Sequence, residues 1–64
     1  MKVNTRKIDI ILAERFMTKT ELANLCGIST QVLYTVVRRG AAEPRTVGKI
    51  AAGLGIPVDD IMEH

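Results

Sequence analysis

The sequence has few of the residues on which most protein chemistry relies. It contains one cysteine, one histidine and no tryptophan, and its only aromatic residues are Phe16 and Tyr34. A single cysteine, Cys26, excludes an internal disulfide. One cysteine and the terminal His64 are too few ligands for a metal site. Because aromatics are scarce, the core must be aliphatic, and we expect Cys26 to be a small buried hydrophobe within it.

The residues of common active sites are also missing. Asp59 and Asp60 are adjacent, so on a helix their side chains point about 100° apart and do not converge. The Gly53-Leu54-Gly55 segment follows a predicted helix, whereas a phosphate-binding glycine loop follows a strand. We therefore expect no enzyme activity and no cofactor, and no small-molecule ligand is indicated.

Long apolar runs are absent as well. The beginning of the chain has no apolar stretch of signal-peptide length, and no segment is long enough to cross a membrane. We therefore expect a cytoplasmic protein.

What the sequence does contain is enough apolar material for one small domain. The chain has 64 residues, 47% of them apolar, and we expect residues 1–64 to form a single domain. The formal charge of +2 is unevenly distributed. Residues 29–49 carry four basic side chains against Glu43, whereas residues 50–64 carry three acids and no lysine or arginine. A basic middle beside an acidic end is typical of a protein that presents one surface to a polyanion.

Two helices are predicted in the first half. The first runs from about Thr5 to Phe16, and the second begins at Thr18, which forms a capping box with Glu21, and ends at Gly27. The residues expected to face the core are Ile8, Ile11, Leu12 and Phe16 in the first helix and Leu22, Leu25 and Cys26 in the second.

The third helix is the most informative element. Ser29 is its predicted N-cap, and it ends near Arg39 with Gly40 as the stop. At about 100° per residue, one side gathers Val32, Leu33, Val36 and Val37, which should anchor the helix. The opposite side gathers short polar groups and arginines, which suits a helix in a nucleic-acid groove: Thr30, Gln31, Tyr34, Thr35, Arg38 and Arg39.

A fourth helix over Pro44–Leu54 and a short fifth helix from Pro57 to about Met62 complete the prediction. The fourth has an apolar face of Val47, Ile50, Ala51 and Leu54. With no strand signal, we predict an all-α bundle of about five short helices.

The spacing of Lys19, Ala23, Gly27, Ile28, Leu33 and Val36 resembles the helix-turn-helix of the phage-repressor and Cro-like (XRE) family. The pairs Ile50-Ala51 and Leu54-Gly55 are similar to that family's fourth helix. The resemblance covers about residues 5–62, with the helix-turn-helix at about 18–39, and implies a lambda-repressor-like fold. A departure is Lys19, since the family often has a glutamine there.

The resemblance implies a regulator of transcription, most simply a small repressor of phage or mobile-element type, that inserts residues 29–39 into the major groove of double-stranded DNA. Bases would be contacted by Thr30, Gln31, Tyr34 and Thr35. Phosphates would be contacted by Lys19, Ser29, Arg38, Arg39 and Arg45. Two of these roles have structural alternatives, because Tyr34 could cover the edge of its helix and the two adjacent arginines could serve the helix dipole.

A homodimer on a palindromic operator is the usual solution for so small a domain. The candidate interface residues are Ile56, Val58, Ile61 and Met62, although these could instead close the monomer core. Two other functions stay open: an antitoxin that also binds a toxin, and a helical protein-interaction module that does not bind DNA.

Overall fold

A computed structural model of the protein describes residues 1–63, which form four α-helices and one short 3-10 helix without a β-strand. None of these helices is long and apolar enough to cross a membrane. The elements are α1 (Thr5–Glu14), α2 (Lys19–Cys26), α3 (Thr30–Arg39), α4 (Pro44–Leu54) and the 3-10 helix (Val58–Ile61). The all-α prediction is confirmed, but the fifth element is a single 3-10 turn and not a helix reaching Met62.

Side-chain caps define where the first three helices begin. The Thr18 hydroxyl accepts a hydrogen bond from the Glu21 N–H at 3.1 Å, and the Glu21 carboxylate accepts one from the Thr18 N–H at 3.0 Å, which confirms the predicted capping box. Ser29 caps α3 as predicted, accepting from the Val32 N–H at 3.1 Å. The side chain of Asn4 caps α1 in the same way, which the sequence analysis did not foresee.

The end of α1 differs from the prediction. The helix stops at Glu14, and Phe16 adopts a left-handed conformation with φ 55°. The Met17 N–H then donates to the Leu12 carbonyl at 2.9 Å, which closes the helix with the backbone pattern that glycine provides at the end of α2. As a result Phe16 is 94% exposed, and its predicted place in the core was wrong.

The core lies where α2 packs against α4, with α3 and the 3-10 helix closing its sides. Leu25 was predicted to be buried but is exposed, because it lies about 100° from the middle of the buried stripe of α2. Among the described residues, the buried core is entirely aliphatic except for Cys26: Val3, Ile8, Ile11, Leu12, Leu22, Ala23, Cys26, Leu33, Val36, Val47, Ile50, Ala51, Leu54 and Ile61.

The first residues of the chain connect two distant segments by backbone hydrogen bonds. The Val3 N–H donates to the Gly40 carbonyl at 2.9 Å, and the Asn4 N–H donates to the Ile61 carbonyl at 2.8 Å. On the same segment, the Met1 carbonyl accepts from the Ala42 N–H at 3.0 Å. Residues 1–4 therefore lie in extended form between the loop after α3 and the end of the 3-10 helix, and they hold the loop in place.

Cys26 and Gly53 mark the closest approach of α2 to α4. The Cys26 thiol donates to the Ile50 carbonyl with a sulfur–oxygen distance of 3.6 Å. Burial raises the pKa of this thiol above its ordinary value, so the sulfur stays protonated at neutral pH. A Cβ added at Gly53 would overlap the Cys26 sulfur and lie 3.0 Å from the Cys26 Cα. The two helix backbones are this close because residue 53 has no side chain.

Gly53→Ala and Gly48→Ala should therefore change stability in opposite directions. Both glycines lie inside α4, where alanine is intrinsically favoured by about 1 kcal/mol. At Gly48 a Cβ meets nothing within 4 Å, so we expect up to about 1 kcal/mol of stabilisation. At Gly53 the new methyl must force the helices apart, and we expect a net loss of about 1–3 kcal/mol. Denaturant unfolding of both variants checks this, and stabilisation by Gly53→Ala would contradict the described contact.

Candidate nucleic-acid interface

The orientation of α3 is set by two side chains and by the turn before it. Leu33 and Val36 are buried in the core, while Gln31 and Tyr34 lie on the opposite side and are exposed. The turn is closed by the Ile28 N–H, which donates to the Ala23 carbonyl at 3.1 Å. The polar face of α3 therefore points away from the body of the protein.

The outer face of α3 consists of two parallel ridges. Residues four apart on a helix are neighbours, so each ridge takes every fourth residue. Each begins with a polar side chain in the first turn of the helix and ends with an arginine in the last. The first ridge is Thr30, Tyr34 and Arg38, and the second is Gln31, Thr35 and Arg39.

Val32 is a surface residue that sequence reasoning assigned to the core. Its side chain is 42% exposed, and on a helical wheel it lies about 70° from the midpoint between Leu33 and Val36, at the margin of the apolar stripe. An exposed aliphatic side chain at this position could contact the methyl group of a thymine in the major groove. No signal in the sequence distinguishes Val32 from Val37, which lies about as far to the other side of the buried stripe and packs against the core.

An open groove of about 370 Å³ runs beside the second ridge. One wall is α3, which contributes Gln31, Val32, Thr35 and Arg39, and the other wall is formed by the following loop and the first turn of α4. This loop is the segment to which residues 1–4 are hydrogen-bonded. The groove beside the second ridge therefore has a fixed opposite wall, formed by this loop and the first turn of α4.

Two hydroxyl groups at the interface are already engaged. The Thr35 hydroxyl donates to the Gln31 carbonyl at 2.9 Å, so toward a ligand it offers acceptor lone pairs and its methyl group. The Ser29 oxygen accepts the capping bond, but its own proton is free to be donated to a phosphate. Gln31 keeps a complete amide, since its side chain forms no hydrogen bond within residues 1–63.

Lys19 lies beside α3 rather than out in solvent. Its Nζ is 3.7 Å from a carboxylate oxygen of Asp9 on α1 and 5.8 Å from the centre of the Tyr34 ring. The ammonium therefore faces the ring at the distance of a cation–π contact. Tyr34 therefore contacts a side chain of α2 and remains half exposed on the outer face.

The arginines differ in their relation to this face. Arg38 and Arg39 are exposed in the last turn of α3, where the helix dipole favours cations, and the structure gives neither an ion pair among residues 1–63. Arg45 is exposed in the first turn of α4 but is not among the residues that line the groove. The structure thus brings Arg38 and Arg39 together with the polar ridges and leaves Arg45 at the side.

The predicted dimer residues at the end of the chain separate into two kinds. Ile61 is completely buried, so for this residue the structure favours the alternative that it closes the monomer core. Ile56 and Met62 are partly buried against the core, and Val58 is 37% exposed. These three are the candidates that still offer apolar surface to a second copy.

Comparisons with known proteins agree with this geometry. Residues 7–64 match the family model described as the Cro/C1-type helix-turn-helix DNA-binding domain, which covers nearly the whole chain and includes both α2 and α3. Comparisons with curated proteins and with solved structures each gave no significant match.

Proposed function

Because this chain belongs to the Cro/C1-type helix-turn-helix DNA-binding domain family, we propose that it is a sequence-specific regulator of transcription that reads double-stranded DNA through α3. The observation that supports this most is the outer face of α3, where polar groups that can bond to base edges lie beside unpaired arginines. Polar side chains in the first two turns suit base contacts, and arginines in the last turn suit phosphates.

The proposed division of roles follows from what each side chain has left to offer. Gln31 has a free amide, which can bond bidentately to adenine in the major groove. Thr30, Tyr34 and Thr35 are the other base-contacting candidates. The phosphates would be held by Lys19, Ser29, Arg38, Arg39 and, from α4, Arg45.

The dimensions of the domain support two copies on one operator. A ten-residue helix is about 15 Å long and spans only about four base pairs. Successive major-groove half-sites on one face of DNA lie about 34 Å apart, and the domain measures 26 × 22 × 19 Å. Two copies lying side by side would therefore reach neighbouring half-sites, and we propose a homodimer on a palindromic operator. Occlusion of a promoter needs no further surface, which favours a repressor over an activator.

Selection of bound duplexes from a random pool tests the readout through two variants of α3. Gln31→Ala should lose about 1–3 kcal/mol of discrimination at one base pair of the selected site, because its amide bonds to a base. Arg38→Ala should weaken binding to all sequences alike and flatten the salt dependence by about one unit. Equal losses on selected and random DNA for Gln31→Ala would remove it from the readout.

Val32 should contact a thymine methyl, and removing that methyl from the DNA tests this directly. Replacing each thymine of the selected site by uracil in turn should cost the wild type about 1 kcal/mol at one position, since about 0.8 kcal/mol is expected for one buried methyl group. Val32→Ala should make that position insensitive to the replacement. The control is Leu25→Ala, an exposed aliphatic residue on α2, which should leave the sensitivity intact.

Dimer formation is tested by sedimentation with Val58→Asp. Val58 is exposed, so the change leaves the monomer core intact but places a charge in the proposed interface with Ile56 and Met62. We expect the wild type to sediment as a dimer at micromolar concentration or on DNA, and Val58→Asp as a monomer. The control Ile10→Asp, which places the same charge at an exposed position of α1, should sediment like the wild type. A wild type that stays monomeric both free and on DNA would contradict the proposal.

A further inference from the structure

The contact between Asp9, Lys19 and Tyr34 joins three helices at the margin of the outer face of α3. The Lys19 ammonium is 3.7 Å from the Asp9 carboxylate and 5.8 Å from the centre of the Tyr34 ring. Tyr34 belongs to the ridge that ends in Arg38, so the ammonium lies next to the surface proposed to meet DNA. The side chain of Lys19 is 29% exposed and that of Asp9 is 57% exposed, so both can be reached by a phosphate oxygen.

The position of Lys19 explains why it has these partners. Lys19 is the first residue of α2, and a cation at the beginning of a helix is disfavoured by the dipole. Within residues 1–63 the Asp9 carboxylate is the one ion-pair partner of Lys19, and the ring of Tyr34 offers its negative face on α3. Together they hold the ammonium at the junction of α1, α2 and α3 before any DNA is present.

We propose that Asp9 is a positioning residue that competes with DNA phosphate for Lys19 and so limits the sequence-independent part of the affinity. This inference rests on the proposed function. A phosphate can take the full charge of Lys19 only if the Asp9 carboxylate gives it up, and the carboxylate itself repels the phosphate. The competition concerns a phosphate contact, which carries no sequence information, so the restraint acts on all sequences alike.

Salt dependence separates this role from a structural one. Each phosphate neutralised by a lysine adds about 0.9 to the slope of log affinity against log salt. Asp9→Asn frees Lys19, so we expect the slope to steepen by up to about one unit and affinity at 0.1 M salt to rise roughly three- to tenfold. The rise should be the same on the selected site and on a duplex of random sequence.

Three further variants complete the design. Asp60→Asn removes an equal charge from the exposed side of the 3-10 helix, where the structure gives Asp60 no ion pair with residues 1–63, and it should raise affinity by less than twofold. Lys19→Met should weaken binding. In the Lys19→Met background, Asp9→Asn should no longer steepen the salt slope, because the Lys19 ammonium that Asp9 restrains is absent. Denaturant midpoints of all variants show whether any change arises from stability.

Two results would overturn this inference while leaving DNA binding intact: equal gains from Asp9→Asn and Asp60→Asn, or a gain from Asp9→Asn that persists without Lys19. Either would mean that Asp9 acts as one more negative charge and not through Lys19. Failure of the wild type to bind either duplex at low salt is a separate outcome. It would overturn the proposed function, and this inference with it.

Discussion

The burial of Leu33 and Val36 is the interaction on which the proposed interface depends. These two side chains are the buried residues of α3, and they fix the rotation of the helix about its axis. With this rotation, the ridges that contain Gln31 and Tyr34 face outward. A change of about 100° in that rotation would place different residues on the outer face, so the proposed readout surface is a consequence of core packing.

The remaining structure keeps that packing in place. The absence of a side chain at Gly53 lets α4 approach α2 at Cys26. The hydrogen-bonded turn at Gly27 then fixes where α3 begins relative to α2. At the other end of α3, residues 1–4 bond to the loop that begins at Gly40. Helix α3 is thus held at its beginning by α2 and at its end by the first residues of the chain, although it buries few side chains of its own.

Sequence reasoning succeeded where the physical cause is local. The capping box at Thr18, the cap at Ser29 and the proline at the start of α4 act within one helical turn, and each was predicted correctly. It failed where tertiary packing decides. Leu25 and Val32 are aliphatic residues at the margins of their helical faces, and only the position of the neighbouring helix determines whether they are covered.

The same distinction holds for the ends of helices and for the site. Phe16 occupies a left-handed position that usually belongs to glycine, so no turn signal marked the end of α1. The polar face of α3 could be predicted from its own periodicity, because its members lie within ten residues. The contact of Lys19 with Asp9 and Tyr34 could not, since it joins three helices whose arrangement is set by the core.

The central claim is that the outer face of α3 is the surface that meets DNA, and mapping the contact by NMR tests it most directly. Isotope-labelled protein titrated with a selected duplex should show its largest amide shifts over Thr30–Arg39 and at the beginning of α2, together with the side-chain amide of Gln31. Shifts concentrated on the outer side of α1 or on the 3-10 helix, with α3 unaffected, would contradict the account.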